Sequence, residues 1–129
     1  MQRTPNSKAQ TVDDLLQAYA TGERAFSGTN LTHVDLQGAN LKGADLSYAD
    51  LSGTNLSGAN LRGADLSYAV LQRANLSDAN LRGVMLIGTD LQDAILTGAD
   101  FTDADYDPQG TRFPTDFDPI EAALQSDRP

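Results

Sequence analysis

The chain reads as an all-β solenoid: a four-sided coil of about four turns, with a helix at one end and a folded-back segment at the other. Three observations carry this reading. From Phe26 to Tyr106 every fifth residue is large and apolar, and the fourteen such positions from Leu31 to Leu96 are all leucine. Two residues before these centres, from Thr29 to Ala104, all sixteen residues are small: eleven Ala, three Thr and two Val. The residue between is Asn or Asp in thirteen of sixteen units, and Gly stands two after the centre in nine. The unit is A(D/N)LxG, repeated without a gap.

A period of five fits neither a helix, at 3.6, nor a plain strand, at 2. It fits a short extended segment followed by a corner. In extended chain alternate residues share a face, so the small residue and the leucine point inward and the Asn or Asp between them points out. The two polar residues that follow break the alternation and require a bend, and Gly at the second adopts it with little steric cost. A bend every five residues winds the chain around a dry Leu/Ala interior. Residues 41–60 share 11, 14 and 9 identities with the chain 15, 20 and 25 residues onward. Twenty prevails, which means four units per turn and a square section. At about 4.8 Å between coils the body is roughly 20 Å tall.

The uninterrupted A(D/N)LxG run, covering about 80 of 129 residues, resembles the pentapeptide-repeat proteins. The resemblance implies a right-handed quadrilateral β-helix; the handedness comes from the resemblance, since the period does not carry it. The flanks LLQAYATGERAFSG and YDPQGTRFPTDFDP are similar to those of cyanobacterial members.

A solenoid exposes its core and unpaired strand edges at both ends and needs caps. Thr11, Val12, Asp13 and Asp14 resemble a capping box, with Asp14 where Glu or Gln is usual. Val12, Leu15, Leu16 and Tyr19 follow at helical spacing, and Gly22 can end the helix. The expected organisation is a disordered tail over 1–10, a capping helix within 11–22, the β-helix over 23–106, a C-terminal cap over 107–124 and a disordered tail over 125–129. The cap is expected to fold back as a plug using Phe113, Phe117 and Ile120, with a short helix starting at Pro119.

The 129 residues suffice for one domain. With 18 acidic and 9 basic residues the net charge is −9, which argues against binding nucleic acid or an anionic membrane. Cysteine is absent, which removes disulfides and thiolate chemistry. No apolar run approaches the ~20 residues of a membrane span. The opening MQRTPNSKAQ lacks the apolar stretch of a signal peptide, so a cytoplasmic location is expected. His33 is the single histidine and falls at an outward corner, and the only glutamates are Glu23 and Glu121. No metal site, cofactor or catalytic residue is expected from such a set. The Asn/Asp ladder recurs in nearly every unit, as a structural requirement does: short polar groups can hydrogen-bond nearby backbone.

Departures from the repeat are therefore informative. Lys42, Arg62 and Arg82 recur at intervals of 20 and should stack in one column, with Asp45 and Asp65 able to compensate them. That column is a candidate contact for an anionic group. Tyr48 and Tyr68 also stack, where Gly is usual. Val70, Met85 and Ile95 replace the Asn or Asp, and Ile87 is apolar where Ser or Thr is typical. Tyr48, Tyr68, Val70, Met85 and Ile87 converge on one edge, and Ile95 falls elsewhere. This edge either contacts a partner or lies under the C-terminal plug. The reading is a non-enzymatic interaction or scaffold module, monomeric or weakly dimeric, that binds another protein through a flat solenoid face. The alternative, implied by similarity to quinolone-resistance pentapeptide proteins, is a DNA mimic that inhibits DNA gyrase. Against it stand the short rod, the basic column and the lack of an obvious dimer-forming helix.

Overall fold

The computed structural model describes residues 12–122 and 124–126. Backbone pairing advances by 20 residues throughout the repeat, as the identity comparison predicts. Ala25, Asp45, Asp65, Met85, Asp105 and Gln125 form one parallel ladder, hereafter the first side. The second side runs Asn30, Asp50, Val70, Asp90 and Arg112; the third runs Asp35, Asn55, Asn75 and Ile95; the fourth runs Asn40, Asn60, Asn80 and Asp100. The extended stretches are so short that regular strand appears only on the first side. There β1 (Met85–Leu86), β2 (Asp105–Tyr106) and β3 (Gln125–Ser126) lie parallel in that order.

At nearly every corner the chain makes a tight turn in which the next small residue donates its N–H to the carbonyl of the centre, as Ala39 does to Leu36 and Ala59 to Leu56 (both 3.0 Å); Val34 and Leu31 are the exception. The second corner residue has φ between +60° and +75° in every unit where a positive value occurs, whether it is Gly or not. This is the requirement of a type II turn and the reason Gly recurs there. The Asn or Asp tightens the bend from outside. Asn55 Oδ1 accepts the Ser57 N–H at 3.0 Å, and Asp45 Oδ1 accepts both the Ser47 N–H (3.0 Å) and its hydroxyl (2.6 Å).

Between coils three backbone bonds recur on each side. Leu46 N–H donates to the Asp65 carbonyl (2.8 Å), Tyr48 N–H to that of Ser67 (2.9 Å), and Asp65 N–H to that of Ala44 (2.9 Å). The ladder places leucine upon leucine, and every centre from Leu41 to Leu91 is fully buried at 0% exposure. Thr54 and Thr89 occupy the inward small position without orphaning their hydroxyls, which donate to the carbonyls of Leu31 and Leu66 in the coil before.

The ends differ from each other. Helix α1 (Val12–Ala20) buries Leu15 in the leucine core beside Phe26. Tyr19 holds it down: its hydroxyl donates to the Lys42 carbonyl (2.5 Å), and the Arg24 guanidinium stacks 3.6 Å above its ring. Gly22, at φ +106°, turns the chain out of the helix. Thr11 and the tail over 1–10 lie outside the described residues.

At the other end the turn over 107–110 inserts two residues. Thr111, Arg112 and Phe113 then repeat the small–outward–large pattern, two out of phase. Arg112 pairs with Asp90, and the Thr111 hydroxyl donates to the Leu86 carbonyl as Thr89 does to Leu66. Phe113 meets Tyr106 edge-on at 5.7 Å and stacks on Phe117 at 4.9 Å; Phe117 in turn meets Phe101 edge-on at 5.4 Å. Phe113 and Phe117 thus form an aromatic cluster with Phe101 and Tyr106 at this end. Ile120 does not join it and stands 79% exposed. Residues 119–122 form turns where a short helix was expected; among the described residues the segment's backbone bonds are Ala122 N–H to the Asp118 carbonyl and Leu124 N–H to that of Pro119 (both 3.1 Å), too few to propagate a helix. Gln125 and Ser126, assigned to the tail by sequence, instead extend the first side as β3. The rest of that tail, 127–129, lies outside the described residues.

Two outcomes check this architecture. Leu61→Asp, which puts a carboxylate into the dry core, should abolish cooperative folding. Ser57→Asp, at a half-exposed corner, should stay within about 1 kcal/mol of the parent by thermal melting. Thr54→Val should destabilise by about 1–3 kcal/mol in urea titrations, because the Leu31 carbonyl has no other donor among the described residues. Thr89→Val should cost less, since Leu66 also accepts the Ala69 N–H at 3.0 Å.

Candidate functional site

The corner between the first and second sides gathers the apolar departures from the repeat. Tyr48 and Tyr68 occupy its second position one coil apart, and their rings stack with centroids 5.2 Å apart and planes 17° from parallel. Tyr68 leans over the next coil, where Gly88 leaves room; a Cβ there would lie 2.5 Å from the ring. The Tyr68 N–H donates to the Ile87 carbonyl at 2.8 Å, which fixes Ile87 at the same corner. Met85 flanks it on the first side between Asp65 and Asp105, and Val70 flanks it on the second between Asp50 and Asp90. The ladder thus brings together Tyr48, Tyr68, Val70, Met85 and Ile87.

Both tyrosines have φ +62°. For a bulky residue this left-handed conformation costs about 1–2 kcal/mol relative to an ordinary one. Tyr48 is 64% exposed, Tyr68 51% and Met85 41%. Val70 and Ile87 are half-buried among them. The described part of the C-terminal segment meets the top of this edge, where Gly110 passes against Gly88, and leaves both tyrosines more than half exposed.

The basic column also forms. Lys42, Arg62 and Arg82 stand exposed at the first position of the corner between the fourth and first sides, linked by Gly43 N–H to the Arg62 carbonyl and Gly63 N–H to that of Arg82 (both 2.9 Å). The compensation differs from the sequence expectation. Arg82 approaches Asp100 at 3.9 Å, whereas Asp45 and Asp65 turn their carboxylates to the N–H groups of Ser47 and Ser67. Each of these Asx bonds uses one carboxylate oxygen, and Asp100, bonded through Oδ1 to Thr102 in the same way, keeps its Oδ2 toward Arg82. Ile95 stands on the third side, apart from both groups. His33 lies with its ring over Gly53. Among the described residues no cluster of three or more His, Cys, Asp or Glu could hold a metal, and no helix is long and apolar enough to cross a membrane.

Two carboxyls are held below their ordinary value of 3.8. The Ser47 hydroxyl and then its N–H lower Asp45; the Thr102 hydroxyl and N–H, with a smaller contribution from Arg82, lower Asp100. A carboxyl whose folded pKa is depressed stabilises the fold above the unfolded value, and that contribution is lost as pH falls through the folded one. A carbon-detected NMR titration should place the Asp45 midpoint below 3.8, and Ser47→Ala should raise it.

A parallel coil with 20 residues per turn, a leucine column and Asx-closed corners defines a β-solenoid built from five-residue units. The family described as pentapeptide repeats (8 copies) matches the chain twice, over residues 26–63 and 64–103, and the chain belongs to that family. Its solved members imply a right-handed β-helix. The crystal structure of alr5209, a pentapeptide repeat protein from Nostoc Pcc 7120, is 48% identical with a TM-score of 0.89, over 96% of this chain and 99% of that one. A pentapeptide repeat protein from the Arabidopsis thaliana thylakoid lumen is 34% identical with a TM-score of 0.54, over 66% of this chain and 63% of its own. Likeness to the plasmid-mediated fluoroquinolone resistance protein QnrB1 is remote, at 20% identity and a TM-score of 0.26, and carries no argument about gyrase. No curated protein sequence matches the chain. Neither the family nor these relatives indicate a catalytic class.

Proposed function

We propose that the chain is a non-enzymatic interaction module, a right-handed coil of about four turns closed by α1 and the aromatic plug, that docks a partner protein flat against its first side. The observation that supports this most is the Tyr48–Tyr68 stack. Two bulky residues are held in a backbone conformation suited to glycine, and more than half of each is left in water. The left-handed φ belongs to the turn and recurs at His33, Arg73, Asp78, Asp93 and Asp103; neither it nor core packing requires a tyrosine, so the exposed stacked rings are what set this corner apart. Stacked tyrosines offer a rigid apolar surface at low entropic cost, as interface anchors do.

The first side lies between the two special corners. The tyrosine edge bounds it on one margin and the Lys42/Arg62/Arg82 column on the other. A partner seated on this side would bury Tyr48, Tyr68, Val70, Met85 and Ile87 and present carboxylates to the column. We place this encounter in the cytoplasm, between one copy of the chain and a protein of another sequence.

Affinity capture from source-cell lysate with quantitative mass spectrometry tests the reading. A partner held by the parent chain should be lost by Tyr48→Ser/Tyr68→Ser/Ile87→Ser, with far-UV spectra of the two proteins alike. Lys42→Gln/Arg62→Gln/Arg82→Gln should weaken the same capture and flatten its salt dependence. Equal capture by parent and tyrosine variant, or none by either, would overturn the proposal.

A further inference from the structure

At the C-terminal end of the coil two of the four sides carry a further backbone rung and a third is met by an aromatic ring. β3 lies on β2 along the first side, Arg112 pairs over Asp90 on the second, and Phe117 packs on Phe101 at the fourth. Among the described residues the third side carries no further rung over Ala94, Ile95 and Leu96, although Ala94 itself is buried. Above it a cleft of about 350 Å³ opens between residues 94–97 and 114–117. That is toward the lower end of the ~300–1,000 Å³ of ligand sites.

The side chains here are unfinished by the standard of the coils below. Thirteen of the fourteen repeat leucines are buried to 4% exposure or less; Leu96 is the exception and is part-exposed. Ile95 is 50% exposed at the outward position that Asn or Asp fills in most units.

The backbone is unfinished in the same place. One coil lower on this side, Leu76 N–H donates to the Ile95 carbonyl (2.8 Å), Asp78 N–H to that of Thr97 (2.9 Å), and Ile95 N–H to that of Ala74 (2.9 Å). The equivalent groups at the end are the N–H of Leu96, the N–H of Gly98 and the carbonyl of Ala94. None of them has a hydrogen-bond partner among the described residues. Two donors and an acceptor stand ready at the spacing of a parallel rung, beside a cleft with room for one.

We propose that this open side binds an extended peptide segment of a partner protein as its next rung, by strand addition. The chemistry of the segment follows from the ladder. Its two inward side chains would lie over Ala94 and Leu96 and must be apolar, the first small. Its outward side chain would lie over Ile95 and is apolar too. Asp116 lines the cleft and Asp93 stands at the corner leading into it, on a chain of net charge −9, so the segment carries basic flanks. The site is on the side opposite β1–β3 and is independent of the tyrosine edge.

The probe is the blocked peptide Lys-Lys-Ala-Val-Leu-Thr-Gly-Lys, added to the full chain and followed by amide hydrogen exchange in NMR. At saturation the Leu96 and Gly98 amides should slow by about tenfold or more, with those on the tyrosine edge unchanged. N-methylating the valine removes the donor to the Ala94 carbonyl and should weaken binding roughly two- to tenfold. A peptide with Glu in place of each Lys should bind more weakly. Ile95→Asp, which restores the residue type usual in the repeat, should keep the melting temperature and lose affinity. Four outcomes would overturn the proposal. They are no protection at millimolar peptide, undiminished binding of the N-methylated peptide, protection of both amides in peptide-free protein at all concentrations (the chain itself fills the cleft), and protection that grows with protein concentration (a second copy does).

Discussion

The parallel backbone ladder sets each residue directly beneath the one 20 positions later, and nearly everything else about the molecule follows from that register. Three inter-coil hydrogen bonds per side leave no freedom to slip, so any side chain must be compatible with its own kind stacked a coil away. Inward, this selects leucine over leucine beside a small residue, alanine in most units and otherwise Thr or Val. Outward, it selects Asn and Asp, whose short side chains turn back onto the N–H two residues on instead of pressing on the coil above. A five-residue sequence period and a 20-residue structural period are the same constraint at two scales.

Departures are legible for the same reason. Where Asn or Asp is replaced by Val70, Met85 or Ile95, the Asx bond is gone and an apolar group faces outward. Where Gly is replaced by tyrosine, the turn keeps its left-handed φ and bears the strain. Tyr68 can lean over the next coil only because position 88 is glycine. The basic column shows a choice among carboxylates that all make the Asx bond: Asp45 and Asp65 are near enough in sequence to neutralise it, yet Arg82 turns to the Oδ2 of Asp100.

The ends obey a different logic. A coil can stop anywhere, but its last rung leaves backbone groups and core side chains in water. At the N-terminal end a single amphipathic helix, pinned by Tyr19, covers Phe26. At the C-terminal end the first side is finished by β3 and the second by the displaced unit at Thr111; Phe117 packs on Phe101 at the fourth, and the third carries no further rung among the described residues. That unevenness distinguishes one end of the solenoid as a surface with unfilled hydrogen bonds.

The sequence by itself determined the coil, its four sides, the inward and outward faces and the membership of the tyrosine edge, because a strict period leaves one register that buries every leucine. It also marked the helix and the two phenylalanines of the plug. It did not disclose that Thr111, Arg112 and Phe113 rejoin the ladder after a two-residue insertion, although the Thr–x–Phe spacing was a signal once the phase was allowed to shift. Nor did it assign Gln125 to a strand, exclude Ile120 from the plug, or choose the carboxylate beside Arg82. Those outcomes, and whether the C-terminal segment covers the tyrosines or leaves them bare, depend on contacts between parts of the chain that share no period. Only the tertiary structure could decide them.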